Sequence, residues 1–300
     1  MNVDLPAGKY VVAVSGGVDS VVLLHVLTQA QRRTYPLLEL VIAHYDHGIR
    51  TDSIEDRRLV QNMAKQYGLP FVYEEGRLGS GVSEAKAREA RYRFLHAVQK
   101  AHGAEAIITA HHQDDLLETV VLNLLRGTGR RGLSSLKSTN SIRRPFLPVS
   151  KRQILEYARM HKLAWREDST NSDETYMRNY VRRKLLNRFS ETDRKQLLVL
   201  ATQTKMLNAE IEKELEKYLD AQPTPVTLDR AQFIQLPHGV AREVMAAWLK
   251  KQTDVEVTKR LLERLVVAAK TAKTGNKLDI DVAHWLYVSD NSLALQLRQR

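Results

Sequence analysis

Short apolar runs alternate with amphipathic stretches over the first 125 residues. The runs at 9–14, 37–43, 70–74 and 105–109 are rich in Val and Ile and have the length of buried strands. Between and after them, residues 18–31, 52–67, 83–102 and 112–126 place apolar side chains at helical spacing. This alternation predicts an α/β fold, a doubly wound, mainly parallel sheet with right-handed helical crossovers. Ligands of such sheets sit beyond the carboxyl ends of the strands. Polar segments 15–20, 44–50 and 111–118 follow the first, second and fourth runs, so all three are expected at one edge.

After Leu125 the pattern changes. Residues 126–133 form a glycine-rich basic stretch, and Pro145 and Pro148 punctuate the chain. Ser150-Lys151-Arg152-Gln153 has the form of a capping box opening a helix to about Met160. Residues 165–177 are polar and read as irregular. Helical patterning resumes near Arg178 and runs to about Asp220, with a break near Phe189. Pro223 and Pro225 mark a boundary, followed by helices at 229–251 and 255–270 and a strand-rich end at 277–298. The domains expected are therefore 1–188, including a basic segment at 126–188, then a connecting helix at 189–222. A smaller, mainly helical C-terminal domain follows at 223–300.

Composition narrows the function. No run of eighteen apolar residues exists to span a membrane as a helix, and the start (Asn2, Asp4, Pro6) lacks the basic, apolar form of a secretion signal. A cytoplasmic protein is expected. Cysteine is absent, which excludes disulfides, thiolate metal sites and any thiol nucleophile on this chain. Between Arg126 and Arg188 there are sixteen basic residues against five acidic ones, an excess equal to the whole chain's net charge of +11. So local an excess favours a polyanionic partner, nucleic acid above all, over a merely solvated face.

The candidate chemistry begins with Ser15-Gly16-Gly17-Val18-Asp19-Ser20, directly after Ala13-Val14. Two glycines permit a tight strand-to-helix turn whose N–H groups converge where the helix N-terminus is positive, a place that binds phosphate. It is not the G-x-x-x-x-G-K-S/T loop, for no lysine follows the glycines. The second segment, His44-Tyr45-Asp46-His47-Gly48-Ile49-Arg50, suits the adenine and ribose of a nucleotide. Asp46 there is placed to accept from a hydroxyl or to help hold Mg²⁺. Local capping of a polar turn is an equally good account of that segment alone. In Thr109-Ala110-His111-His112-Gln113-Asp114-Asp115-Leu116-Leu117-Glu118, Asp115 and Glu118 are three apart on a predicted helix beside His111. Such a pair can bind an ammonium group or remove a proton, although acids also stabilise helix N-termini. Arg88, Arg91 and Tyr92 share a helical face and can clamp phosphate oxygens, with salt bridges to Glu84 or Glu89 as the alternative. Trp165-Arg166-Glu167-Asp168-Ser169-Thr170-Asn171, then Arg178-Asn179 and Arg182-Arg183-Lys184, combine aromatic, amide and basic groups suited to unpaired RNA.

The first loop resembles that of the ATP pyrophosphatases, which split ATP into AMP and pyrophosphate. The ordered set of motifs from about residue 10 to 185 is similar to the tRNA(Ile)-lysidine synthetase family. Leu124-Leu125-Arg126-Gly127-Thr128-Gly129 and the Trp165-to-Asn179 run narrow it to that family; Tyr45 departs from it, where a small apolar residue is expected. The resemblance implies an adenine nucleotide α-hydrolase-like fold and a reaction in two steps. ATP would adenylate the C2 oxygen of the wobble cytidine in a CAU-anticodon isoleucine tRNA. Free L-lysine would then displace AMP to give lysidine. It implies ATP and Mg²⁺ as cofactors. Ala13, Ser15, Gly16, Gly17, Val18, Asp19, Ser20 and His44 would bind ATP. Asp46, Arg88, Arg91, His111, Asp115 and Glu118 would serve catalysis. Arg126, Arg130, Arg131, Arg178, Asn179 and Arg182 would grip RNA. A homodimer stays open, and many members carry a further C-terminal domain that a chain ending at Arg300 is expected to lack. A tRNA thiolase is the nearest competitor and conflicts with the missing cysteines. An ammonia-using amidotransferase would not need the basic segment, and a non-catalytic tRNA-binding protein would not need Asp19 or the Asp115/Glu118 pair.

Overall fold

The computed structural model of the protein describes residues 1, 3–48, 53–76, 82–166 and 177–298, the Glu84 side chain excepted. The chain divides into two compact units, Met1–Thr204 and Lys205–Arg300.

In the first unit, strands β1 (Gly8–Ala13), β2 (Leu38–Asp46), β3 (Phe71–Glu75), β4 (Ala106–Ile108) and β5 (Ile142–Arg143) form one sheet in the order β3-β2-β1-β4-β5. Every pairing is parallel. Helices α1 (Val18–Arg33), α2 (Ser53–Tyr67), α3 (Glu84–Ala101) and α4 (Gln113–Leu125) alternate with the strands as the apolar pattern predicts. Val11 registers with Val41 and Ile107, and these three pack under Phe94, Leu95 and Val98 of α3. Val12 registers with Ile42 and Ile108 and faces the opposite side, against Leu23, Leu24 and Leu27 of α1. Because side chains alternate along a strand, two adjacent valines serve two different cores. Burying each such side chain is worth about 1.5–3 kcal/mol.

The order of strands reverses between β1 and β4, since β2 and β3 extend the sheet to one side and β4 and β5 to the other. Doubly wound sheets bind ligands at this switch point. Beyond α4, the basic glycine-rich stretch contains a single helical turn, α5 (Arg130–Leu133). Helix α6 (Lys151–Met160) starts at the expected capping box: Ser150 accepts from the Gln153 N–H, and Gln153 Oε1 accepts from the Ser150 N–H. Helix α7 (Met177–Tyr180) runs into a π-helical turn at Val181–Leu185, a form common at functional sites. The break expected near Phe189 is an extended residue there, before α8 (Glu191–Asp220).

In the second unit, β6 (Thr227–Asp229), β7 (Lys277–Asp279), β8 (His284–Val288) and β9 (Ser292–Leu297) form an antiparallel sheet in the order β6-β9-β8-β7. Its helices are the C-terminal half of α8, which contributes Leu215 and Leu219 to its core, and α9 (Arg230–Gln235), α10 (His238–Gln252) and α11 (Lys259–Thr271). The single helix expected at 229–251 is therefore two, because Pro237 breaks it and takes the N-cap position of α10. Phe233, Trp248, Leu265 and Leu286 centre the core of this unit. Arg230, buried beside them, donates to the carbonyls of Ala269, Ala272 and Ser289 and so satisfies the end of α11.

Candidate functional site

The turn after β1 is built as its sequence demands. Gly16 has φ +95°, a left-handed value that a side chain tolerates poorly. Gly17 stands at the N-cap of α1 with no side-chain cap. The two serines tie the turn together: the Ser15 N–H donates to Ser20 Oγ at 3.1 Å, and Ser20 Oγ donates to the Gly17 carbonyl at 2.9 Å. The N–H groups that open a helix have no partner within it, which leaves a positive end of α1 facing the carboxyl edge of the sheet. From outside the turn, the Arg166 N–H donates to the Gly16 carbonyl at 3.0 Å, and Arg166 Nε meets Asp56 of α2 at 2.7 Å.

A cleft of about 360 Å³ opens at this edge. Of the residues singled out in the sequence, Ala13, Ser15, Gly17, Asp19, Ser20, His44, Asp46, Arg91, His111 and Asp115 line it. Gly16, Val18, Arg88, Glu118, Arg126, Arg130, Arg131, Arg178 and Arg182 are not on its wall, whereas Arg166 of the Trp165–Asn171 segment is. Arg88 instead lies over the Tyr92 ring, 4.7 Å from its centroid. Asp46 ends β2 and accepts from the Gly48 N–H at 2.8 Å. Ile49 and Arg50 of the same motif lie outside the described residues, as do Glu167 to Asn171. Tyr45 packs edge-on to His47 and against Phe94, in space that Gly76 leaves by having no side chain.

The link between the first loop and α4 runs through His112, a residue of the Thr109-to-Glu118 motif whose position in the sequence implies no role by itself. It is the N-cap of α4 in a reciprocal box: its ring accepts from the Asp114 N–H, and its own N–H donates to Asp115 Oδ2 at 2.9 Å. Its Nε2 lies 3.7 Å from Asp19 Oδ1 and 3.6 Å from Asp115 Oδ2. One imidazole thus spans the glycine turn and the acidic helix. Its residue type was visible, but an N-capping histidine is uncommon enough that spacing alone does not announce it.

Glu118 of this helix meets Arg178 and Arg182 in an arrangement that their spacing in the sequence does not announce. Glu118 is 1% exposed and is gripped by Arg182, with Nε to Oε1 at 2.5 Å and Nη2 to Oε2 at 3.1 Å. Arg178 Nε lies 3.5 Å from the same carboxylate. The candidate lysine-binding acid and two candidate RNA-binding arginines therefore meet one another, because a carboxylate this deep needs a cation beside it. Burial pushes the Glu118 carboxyl up, and the Arg182 hydrogen bond and charge pull it back. Arg126 is exposed at the end of α4, and Arg130 and Arg131 lie on α5. Elsewhere in the basic segment, the buried Arg144 donates to the Lys137 carbonyl, while Arg152 pairs with Glu156 on the surface. The segment's charge is thus partly spent inside the fold.

Two histidines of the site are held neutral. His44 Nδ1 donates to the Val14 carbonyl at 2.8 Å, since a carbonyl can only accept, and burial pushes this imidazole down. Burial first, then the charges of Arg144, Arg91, Arg88 and Arg178, lowers His111 to about 2. The unfolded chain therefore binds a proton at this residue that the native state refuses. Native stability is unaffected above the ordinary histidine value near 6.5 and falls progressively as pH drops below it. His111→Asn is expected to flatten this acid limb in urea titrations run between pH 7 and 4. An unchanged slope would refute the assignment.

The sequence profile of the PP-loop domain matches residues 1–189. The tRNA(Ile)-lysidine synthase of Exiguobacterium sibiricum is 35% identical over 257 residues, 83% of this chain and 60% of the relative. That of Solibacter usitatus is 32% identical over 279 residues, 92% of this chain and 59% of the relative. The chain thus spans about three-fifths of the length of these curated relatives. Among solved structures, the U34-tRNA thiolase of Methanococcus maripaludis superposes with a TM-score of 0.52 at 17% identity, covering 65% of this chain and 70% of that one, a likeness of fold. The glycine turn at the switch point and the match over its first 189 residues place the chain in the PP-loop domain family.

Proposed function

We propose that the chain carries the catalytic domain of a tRNA(Ile)-lysidine synthase, an ATP-dependent ligase that forms lysidine. The observation that carries this reading is the His112 bridge, which keeps Asp19 of the phosphate turn and Asp115 of the acidic helix each within 4 Å of one ring. A centre activated at the α-phosphate would then lie close to a carboxylate that can receive the incoming amine. The relatives named above favour the same substrate.

On this reading the turn at 15–20 holds the ATP phosphates and His44 stands beside the nucleoside. The C2 oxygen of the wobble cytidine attacks the α-phosphate and pyrophosphate leaves. The lysine amine then attacks C2, AMP leaves with the C2 oxygen, and the amine gives up its proton to Asp115. Arg91 on the cleft wall offsets charge at the α-phosphate. Glu118 acts from behind the wall by fixing Arg178 and Arg182. Among the described residues no group of three or more His, Asp or Glu is placed to hold a metal ion. The single carboxylate of Asp46 fits Mg²⁺ that arrives with phosphate oxygens and keeps its waters, the usual state of that ion with ATP. Arg126, Arg130, Arg131 and Asn179 contact the tRNA in this proposal.

The test incubates the protein with ATP, Mg²⁺, lysine and unmodified CAU-anticodon isoleucine tRNA, then digests the RNA and looks for lysidine by mass. Lysidine is the expected product. AMP release without lysidine would keep the PP-loop chemistry and overturn the nucleophile or the tRNA. Sulfur transfer is a poor alternative, as the chain has no thiol to carry it.

A further inference from the structure

The phosphate turn contains an acid where it is expected to meet an anion. Asp19 lies in the first turn of α1 and on the cleft wall. A carboxylate there opposes a polyphosphate unless a cation offsets it. The structure supplies one from 132 residues away: Lys151 Nζ donates to Asp19 Oδ1 at 2.6 Å. The Lys151 main-chain N–H donates to Asp114 Oδ2 at 3.2 Å, so the residue is anchored at both ends, on the acidic helix and on the phosphate turn. Its side chain is 36% exposed, accessible to a ligand. An ammonium has three N–H donors, and Asp19 accepts from one.

We propose that Lys151 is the phosphate-binding cation of the turn, contacting the oxygens that leave as pyrophosphate. It takes the part that the lysine of G-x-x-x-x-G-K-S/T loops plays from within the loop, and so lies apart from the RNA-facing charge of the basic segment. The inference rests on the nucleotide-binding part of the reading above and not on lysidine formation.

The test is calorimetric titration of the full chain with inorganic pyrophosphate, α,β-methylene-ATP and AMP, each with Mg²⁺. In Lys151→Met, pyrophosphate and the ATP analogue are expected to bind about 10- to 100-fold more weakly, the loss of one charge-assisted hydrogen bond. AMP should change less than about twofold on the same expectation, and Lys151→Arg should keep most of the affinity. A second comparison separates contact from mere screening of Asp19. In an Asp19→Asn background, Lys151→Met still weakens pyrophosphate if the ammonium touches it, and has no further effect if it only offsets the carboxylate. Unchanged pyrophosphate binding, an equal loss for AMP, or no further effect in the Asp19→Asn background would each overturn the proposal. Wild-type protein that binds none of the three would overturn the nucleotide reading itself and this inference with it. Should Lys151→Met fail to fold, Lys151→Gln gives the same ratio of pyrophosphate to AMP affinity.

Discussion

Replacement of Asp115 by asparagine is expected to slow lysine transfer by about 10²- to 10⁴-fold, the range for loss of a positioned base. Adenylation, followed as tRNA-dependent exchange of pyrophosphate into ATP, should persist. Asparagine is the informative change because its amide oxygen can still accept from the His112 N–H, the bond that closes the start of α4. Alanine would remove charge and cap together and confound the rate with roughly 1 kcal/mol of lost helix capping. An asparagine variant with wild-type transfer would remove Asp115 from the chemistry and leave it a capping residue.

Arg182→Ala is expected to cost the first unit about 3 kcal/mol at neutral pH, the low end for breaking a buried ion pair, because Arg178 still reaches Glu118. For a unit of this size that corresponds to a melting temperature lower by roughly 6–12 °C. The deficit has a pH signature. Burial pushes the Glu118 carboxyl up in the native state, and loss of Arg182 raises it further. Stability that depends on the charged pair is present at neutral pH and is lost as pH falls through the native Glu118 value. The difference between variant and wild type should therefore narrow towards pH 4 in urea titrations. An equal deficit at both pH values would mean that Arg182 contributes packing alone.

The parallel sheet was legible because Val11, Val12, Val41, Ile42, Ile107 and Ile108 are buried on both faces and read as continuous apolar runs. Strand β5 was not, since a two-residue bridge at Ile142–Arg143 has no periodicity to detect. Strand β6 is three residues long and sits after two prolines that read as a linker. The cleft residues that follow β1, β2 and β4 could be placed because topology alone brings strand ends together. Contacts between distant side chains were beyond reach. Nothing in the spacing pairs Glu118 with Arg182, Asp56 with Arg166 or Asp19 with Lys151, because the partners are brought together only by the folded chain.

Both sheets keep their longest strands inside. The nine-residue β2 runs between β1 and β3, while the outer positions go to β3 with five residues, β5 with two, and β6 and β7 with three each. A border of two to five residues offers a foreign chain few unsatisfied N–H and C=O groups to extend. The same truncated margins that make β5 and β6 hard to read from the sequence thus help guard the molecule against edge-to-edge aggregation.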